Sequence, residues 1–120
     1  PAGGVTQWLP RLIPASIALK LLLTGERFSA SDAYRFGLVS EVVPRDKLIS
    51  AAEGMAERIS NNGPLAVTAV KVAFWEGLRQ SIAEGLQLER KLSKTIHESQ
   101  DFKEGRKAFA EKRKPVFRGK

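Results

Sequence analysis

Only one stretch of this chain, Leu38-Val39-Ser40-Glu41-Val42-Val43, has the β-branched composition of a strand, and it is short. Elsewhere the apolar residues recur three and four apart and are cut into segments by glycine and proline. A single strand cannot satisfy its own backbone donors and acceptors, and no second stretch offers itself as a partner. The fold class this implies is mainly α, with one orphan strand.

The segments read as follows. Gly3-Gly4 permits a turn into a short helix, with Thr6 as its cap and Pro10 as its limit. Pro14 suits a first helical turn, Ile17, Leu21 and Leu22 form an apolar face, and Gly25 is a natural stop. Ser29 and Asp32 form a capping box for a helix that stops at Gly37. Pro44 and Asp46 start another, whose half-buried face carries Leu48, Ala52, Met55, Ala56 and Ile59. Asn61-Asn62-Gly63-Pro64 joins it to the next segment as a tight helical hairpin. Residues 65–79 are apolar nearly all round, as in a helix buried on several sides. Ser81 and Glu84 open a long helix bearing Ile82, Leu86, Leu92 and Ile96. The last helix covers about 101–112, with Phe102 and Phe109 as its apolar anchors, and Pro115 stops it.

Composition narrows the function classes. With no cysteine, disulfides and thiolate metal sites are excluded. Hydrophobic content of 42% with 28% charged residues is that of a globular chain, not a disordered one. No apolar run approaches the ~20 residues of a membrane span. The formal charge is +7, and five of those net charges lie in the last twenty residues, around Glu111-Lys112-Arg113-Lys114. Clustered cations attract a phosphate-bearing ligand. They equally suit a solvated helix end favoured by the helix dipole. Tracking a nucleic acid needs a stripe of Lys/Arg interleaved with aromatics. This short tail is not one, which argues against RNA. His97, the only histidine, lies on a polar stretch and reads as exposed and inert. Glu84 and Glu89 do not share a helix face and are not a catalytic pair.

Taken together, several motifs resemble the enoyl-CoA hydratase/isomerase (crotonase) family. Pro1-Ala2-Gly3-Gly4-Val5-Thr6-Gln7 with Leu9-Pro10-Arg11 is similar to its glycine turn. Leu23-Thr24-Gly25-Glu26-Arg27, Ala33-Tyr34-Arg35-Phe36-Gly37-Leu38-Val39 and Val42-Val43-Pro44 follow in family order. Asn62-Gly63-Pro64-Leu65-Ala66, then Glu104-Gly105 and Ala108-Phe109-Ala110-Glu111-Lys112-Arg113, complete the series. Trp8 stands where the family usually has arginine. Leu12-Ile13-Pro14-Ala15 is similar to the carnitinyl-CoA dehydratase branch, and hydratase, isomerase and dehydratase chemistry all stay open.

The resemblance implies the C-terminal half of a crotonase: residues 1–13 as the end of the ββα spiral core, and 14–120 as the helical region that trimerises and touches CoA. The partner of the orphan strand would then lie in the absent N-terminal spiral. So would both oxyanion donors and both catalytic glutamates, leaving this stretch without catalysis of its own. The implied full-length protein is a lyase that hydrates trans-2-enoyl-CoA. It needs no cofactor beyond its acyl-CoA substrate, assembles as a trimer or hexamer, and works in the cytoplasm or a mitochondrial matrix. Three residues carry over to its site. The backbone N–H of Ala2 would help hold the catalytic water. Phe109 and Lys112 would meet the adenine and phosphate end of CoA. The alternatives are a basic nucleic-acid-binding helical module and a purely structural oligomerisation domain.

Overall fold

The computed structural model describes residues 3–120, so Ala2 and the contact expected of it lie outside the described residues. Seven α-helices are present among them: α1 (Val5–Leu12), α2 (Ala15–Thr24), α3 (Ala30–Arg35), α4 (Leu48–Ser60), α5 (Pro64–Gly77), α6 (Ile82–Glu98) and α7 (Gln100–Ala110). A 3₁₀ turn at Arg45–Lys47 leads into α4. The mainly α expectation holds. The strand expected at 38–43 does not form, and no strand occurs among the described residues. The reason is local as well as topological. The Leu38 N–H is already committed to the Ala33 carbonyl at 2.9 Å, in the turn that closes α3.

The chain divides into two compact units, one ending at Ile49 and the other comprising Ser50–Lys120. In the first, α1 packs on α2 around Ile13, Ala18 and Leu21, with Leu9, Ile17, Phe36 and Leu38 against them. Thr6 is not the cap of α1. Gly4 holds that position in a left-handed conformation, and Thr6 lies inside the helix. Pro10 also sits inside α1 rather than ending it. Ile13 ends it, because a residue before proline is pushed to extended backbone (φ −133°, ψ 164°). The Ser29–Asp32 capping box at α3 is realised in both directions.

In the second unit α5 packs along α6, and α6 along α7. The hairpin expected between α4 and α5 is therefore replaced by one between α5 and α6. The Ser81–Glu84 capping box fixes where α6 begins. The face expected to half-bury α4 is largely open: Leu48, Met55 and Ile59 are exposed, and no residue of that helix is buried. α5 likewise buries none of its residues, and Val70, Phe74 and Leu78 are exposed. Burying a side chain of this size stabilises by roughly 1.5–3 kcal/mol. These faces leave that stabilisation unrealised within the unit.

Candidate functional site

The site candidates converge on α7 and the tail that follows it. Ser99 opens α7 by accepting the Phe102 N–H at 3.1 Å, which satisfies one of the unpaired donors of the first turn. Asp101 follows in that first turn, where a carboxylate is favoured by the helix dipole, and it is buried.

The C-terminal end of α7 is unusual. The Lys112 N–H donates to the Phe109 carbonyl (3.2 Å) and the Arg113 N–H to the Ala108 carbonyl (3.0 Å). This double closure requires the residue at its bend to be left-handed. The same pair of bonds closes α3, where the bend is Gly37 at φ 79° and no Cβ opposes it. At α7 the bend is Lys112 at φ 52°, and among the described residues it is the one non-glycine with positive φ.

Beyond the bend the chain turns back along α7. Arg113 grips Glu104 with two guanidinium bonds of 2.6 and 3.0 Å, and its Nε meets Glu111 at 2.6 Å. Glu104 also accepts the Val116 N–H at 2.9 Å. Hydrogen bonding to Arg113, then to the Val116 backbone, holds the Glu104 carboxyl down at about 2. The same pairing pushes the Arg113 guanidinium up. Further on, the Arg118 and Gly119 N–H groups both donate to the Asp101 carboxylate, at 2.7 and 2.8 Å. Phe117 lies over Gly63 and Gly105, where a Cβ would meet its ring at 3.7 and 3.6 Å. Residues 113–119 thus form a strap antiparallel to α7.

Between the strap, α7 and the facing ends of α5 and α6 is a cleft of about 360 Å³. Its walls include Leu65, Ile96, Phe102, Phe109 and Phe117, with Arg106 as its one basic residue. The ring of Phe109 is on the rim and 88% exposed. It is not the apolar anchor expected of it: Ala108, the neighbour facing inward, is buried instead. Lys112 does not line the cleft. It sits at the bend beyond α7, its N–H on the Phe109 carbonyl, exposed and without an ion pair among the described residues.

The structure therefore brings Phe109 and Lys112 together at one helix end. It also divides the basic run. Arg113 is consumed by Glu104 and Glu111, so it is not an open anion contact, and Lys112 and Lys114 remain at the surface. His97 is exposed, as expected; its Nδ1 lies 2.7 Å from the Ser93 carbonyl and its ring stands against Phe102. Glu84 is taken up by its cap. Asp101 and Phe117 carry no sequence signal for these contacts, and Glu104 enters only as part of a family motif. For the Glu104–Arg113 pair the further signal is opposite charge nine residues apart, a spacing outside the helical periods. No cluster of potential metal ligands occurs among the described residues, and no helix there is long and apolar enough to cross a membrane.

The enoyl-CoA hydratase/isomerase family profile matches residues 1–120. (E)-Benzylidenesuccinyl-CoA hydratase of Thauera aromatica is 45% identical over 95% of this chain and 44% of its own length. The mitochondrial enoyl-CoA hydratase of Pongo abelii is 39% identical over 98% of this chain and 41% of its own. The crystal structure of enoyl-CoA hydratase from Bacillus anthracis superposes with a TM-score of 0.97 at 42% identity, over all of this chain and 46% of that one. The chain spans about half the length of the relatives it matches. With a family profile matched from end to end and a helical fold shared with solved members, the chain belongs to the enoyl-CoA hydratase/isomerase family.

Proposed function

We propose that this chain forms the C-terminal helical part of an enzyme that hydrates a trans-2-enoyl-CoA. In it, Phe109 and Lys112 would contact the nucleotide end of the thioester. One observation carries the reading: where α7 ends, Phe109 and Lys112 supply an aromatic ring and an ammonium without an ion pair, both open to solvent. A ring that is 88% exposed contributes little to packing, whereas a purine can stack on it. An exposed ammonium at the same helix end suits a phosphate. Binding energy gathered at this remote end would hold the reacting end in place, where a hydratase needs carboxylates and oxyanion donors. By the resemblance, those groups would belong to the rest of the enzyme.

The open faces of α4 and α5 support a second role, as contacts to the rest of the enzyme or to further copies of it. A nucleic-acid reading has less to rest on. A groove of about 550 Å³ along α7 and the strap is lined by Lys103, Lys107, Arg113 and Arg118 against Asp101 and Glu104, without an aromatic to stack a base.

The test is the affinity for CoA of the intact enzyme that carries this chain, compared between wild type, Phe109→Ala and Lys112→Ala. A loss of about tenfold in each is expected, the worth of one stacked ring or one charge-assisted contact. Unchanged affinity in both variants removes the reading. Turnover of trans-2-enoyl-CoA to the 3-hydroxyacyl thioester tests the reaction assigned to the whole protein.

A further inference from the structure

We infer that Glu104 is a positioning residue for the nucleotide end of the ligand, acting through Arg113 on Lys112. The inference rests on the role proposed above for Phe109 and Lys112.

A lysine at φ 52° is held against the ordinary preference of a residue with a Cβ. At α3 the same two closing bonds fall on Gly37, for which a positive φ costs nothing, whereas at Lys112 a cost has to be met. What α7 adds is the strap. Directly after Lys112, the guanidinium of Arg113 is locked by both oxygens of Glu104, and one of those oxygens also takes the Val116 N–H. The carboxylate of Asp101 then takes two consecutive backbone N–H groups further along. The strap is thereby tied to the helix from which it emerges, and the reversal falls at Lys112. In this arrangement the backbone from which the Lys112 side chain departs is held at the end of α7, its N–H on the Phe109 carbonyl at 3.2 Å.

Removing the Glu104 charge frees the guanidinium and weakens the hold on Val116. The bend then relaxes toward the right-handed backbone a lysine prefers. The ammonium is not lost, but it is no longer aimed. A carboxylate that never touches the ligand would in this way set the affinity for its nucleotide.

The experiment compares wild type, Glu104→Gln, Arg113→Lys and Lys112→Ala in the intact enzyme. The probes are CoA, for which Kd is measured, and a four-carbon trans-2-enoyl group presented on CoA or on pantetheine, which lacks the nucleotide. Expected for Glu104→Gln are a five- to tenfold rise (roughly) in Kd for CoA and in KM for the CoA thioester, with kcat retained. KM for the pantetheine thioester stays unchanged. A role confined to stability would shift both thioesters together, so equal effects on the two, or no effect on CoA affinity, overturns the inference. Should Glu104→Gln fail to fold, Arg113→Lys carries the same two readings, because it keeps the charge and loses the fork. Unchanged CoA affinity in Lys112→Ala overturns the underlying role instead. A loss there without one in Glu104→Gln overturns this inference alone.

Discussion

Replacing Lys112 by glycine should make the protein more stable and at the same time worse at binding CoA. At φ 52° a residue with a Cβ costs roughly 1–2 kcal/mol relative to its preferred backbone. Glycine removes that cost but adds roughly 0.5–1 kcal/mol of chain entropy in the unfolded state. The expected net is a stabilisation of roughly 0.5–1 kcal/mol. Lys112→Ala keeps the Cβ and relieves nothing, so its stability should stay within about 0.5 kcal/mol of wild type, as for other exposed positions. Both variants delete the ammonium. If it meets a phosphate of the ligand, each should lose about 1.4 kcal/mol of binding, or tenfold in Kd. Urea unfolding gives the first quantity and calorimetric titration with CoA the second, both in the intact enzyme. The glycine and alanine variants should thus part in stability and agree in affinity. A glycine variant less stable than the alanine variant would refute the argument from the left-handed bend. Wild-type affinity in both would refute the contact with CoA.

Three further outcomes follow from the same contacts. Phe109→Ala should change stability by no more than about 0.5 kcal/mol, since the ring is 88% exposed, while weakening CoA binding; thermal melts and titration check the two halves separately. The strap should loosen in acid. The Glu104 carboxyl is depressed from 4.5 to about 2, so its contribution is complete above 4.5 and is lost as pH falls from there through about 2. The protection factor of the Val116 amide, its exchange rate taken relative to an unstructured amide at the same pH, should fall over that window, and Glu104→Gln should flatten the dependence. Ser81→Ala removes the cap of α6 and should cost about 1 kcal/mol, read as a lowered denaturation midpoint.

Much of the local structure was legible because its causes lie within four residues. The boxes Ser29–Asp32 and Ser81–Glu84, the stops at Gly25 and Gly37, and the start at Pro64 all appear where their spacing puts them. Errors arose where a local signal competed with a neighbour. Pro10 looked like a stop, but the helix outlasted it until Pro14 forced Ile13 into extended backbone. Residues 38–43 had the composition of a strand, but composition supplies no partner, and Leu38 was claimed by the cap of α3. The hairpin was assigned to α4 and α5 from a short loop, whereas α5 packs along α6.

The candidate site shows the same division. Sequence alone put Phe109 and Lys112 three residues apart near the end of the last helix, expected to reach about 112; the helix ends at Ala110, and Lys112 lies beyond it at a left-handed bend. Sequence also determined that the chain is helical and cysteine-free, with its charge gathered near the end. Only the tertiary structure decided which of those charges are open. Arg113 is spent on Glu104 and Glu111, Asp101 on the backbone of the strap, and Lys112 is left exposed on a backbone it would not choose. The Glu104–Arg113 pair and the Asp101 contacts span nine to eighteen residues and are made when a tail folds back along its own helix. No period of helix or strand encodes such contacts, because they are selected by which groups remain unsatisfied once the helices have formed.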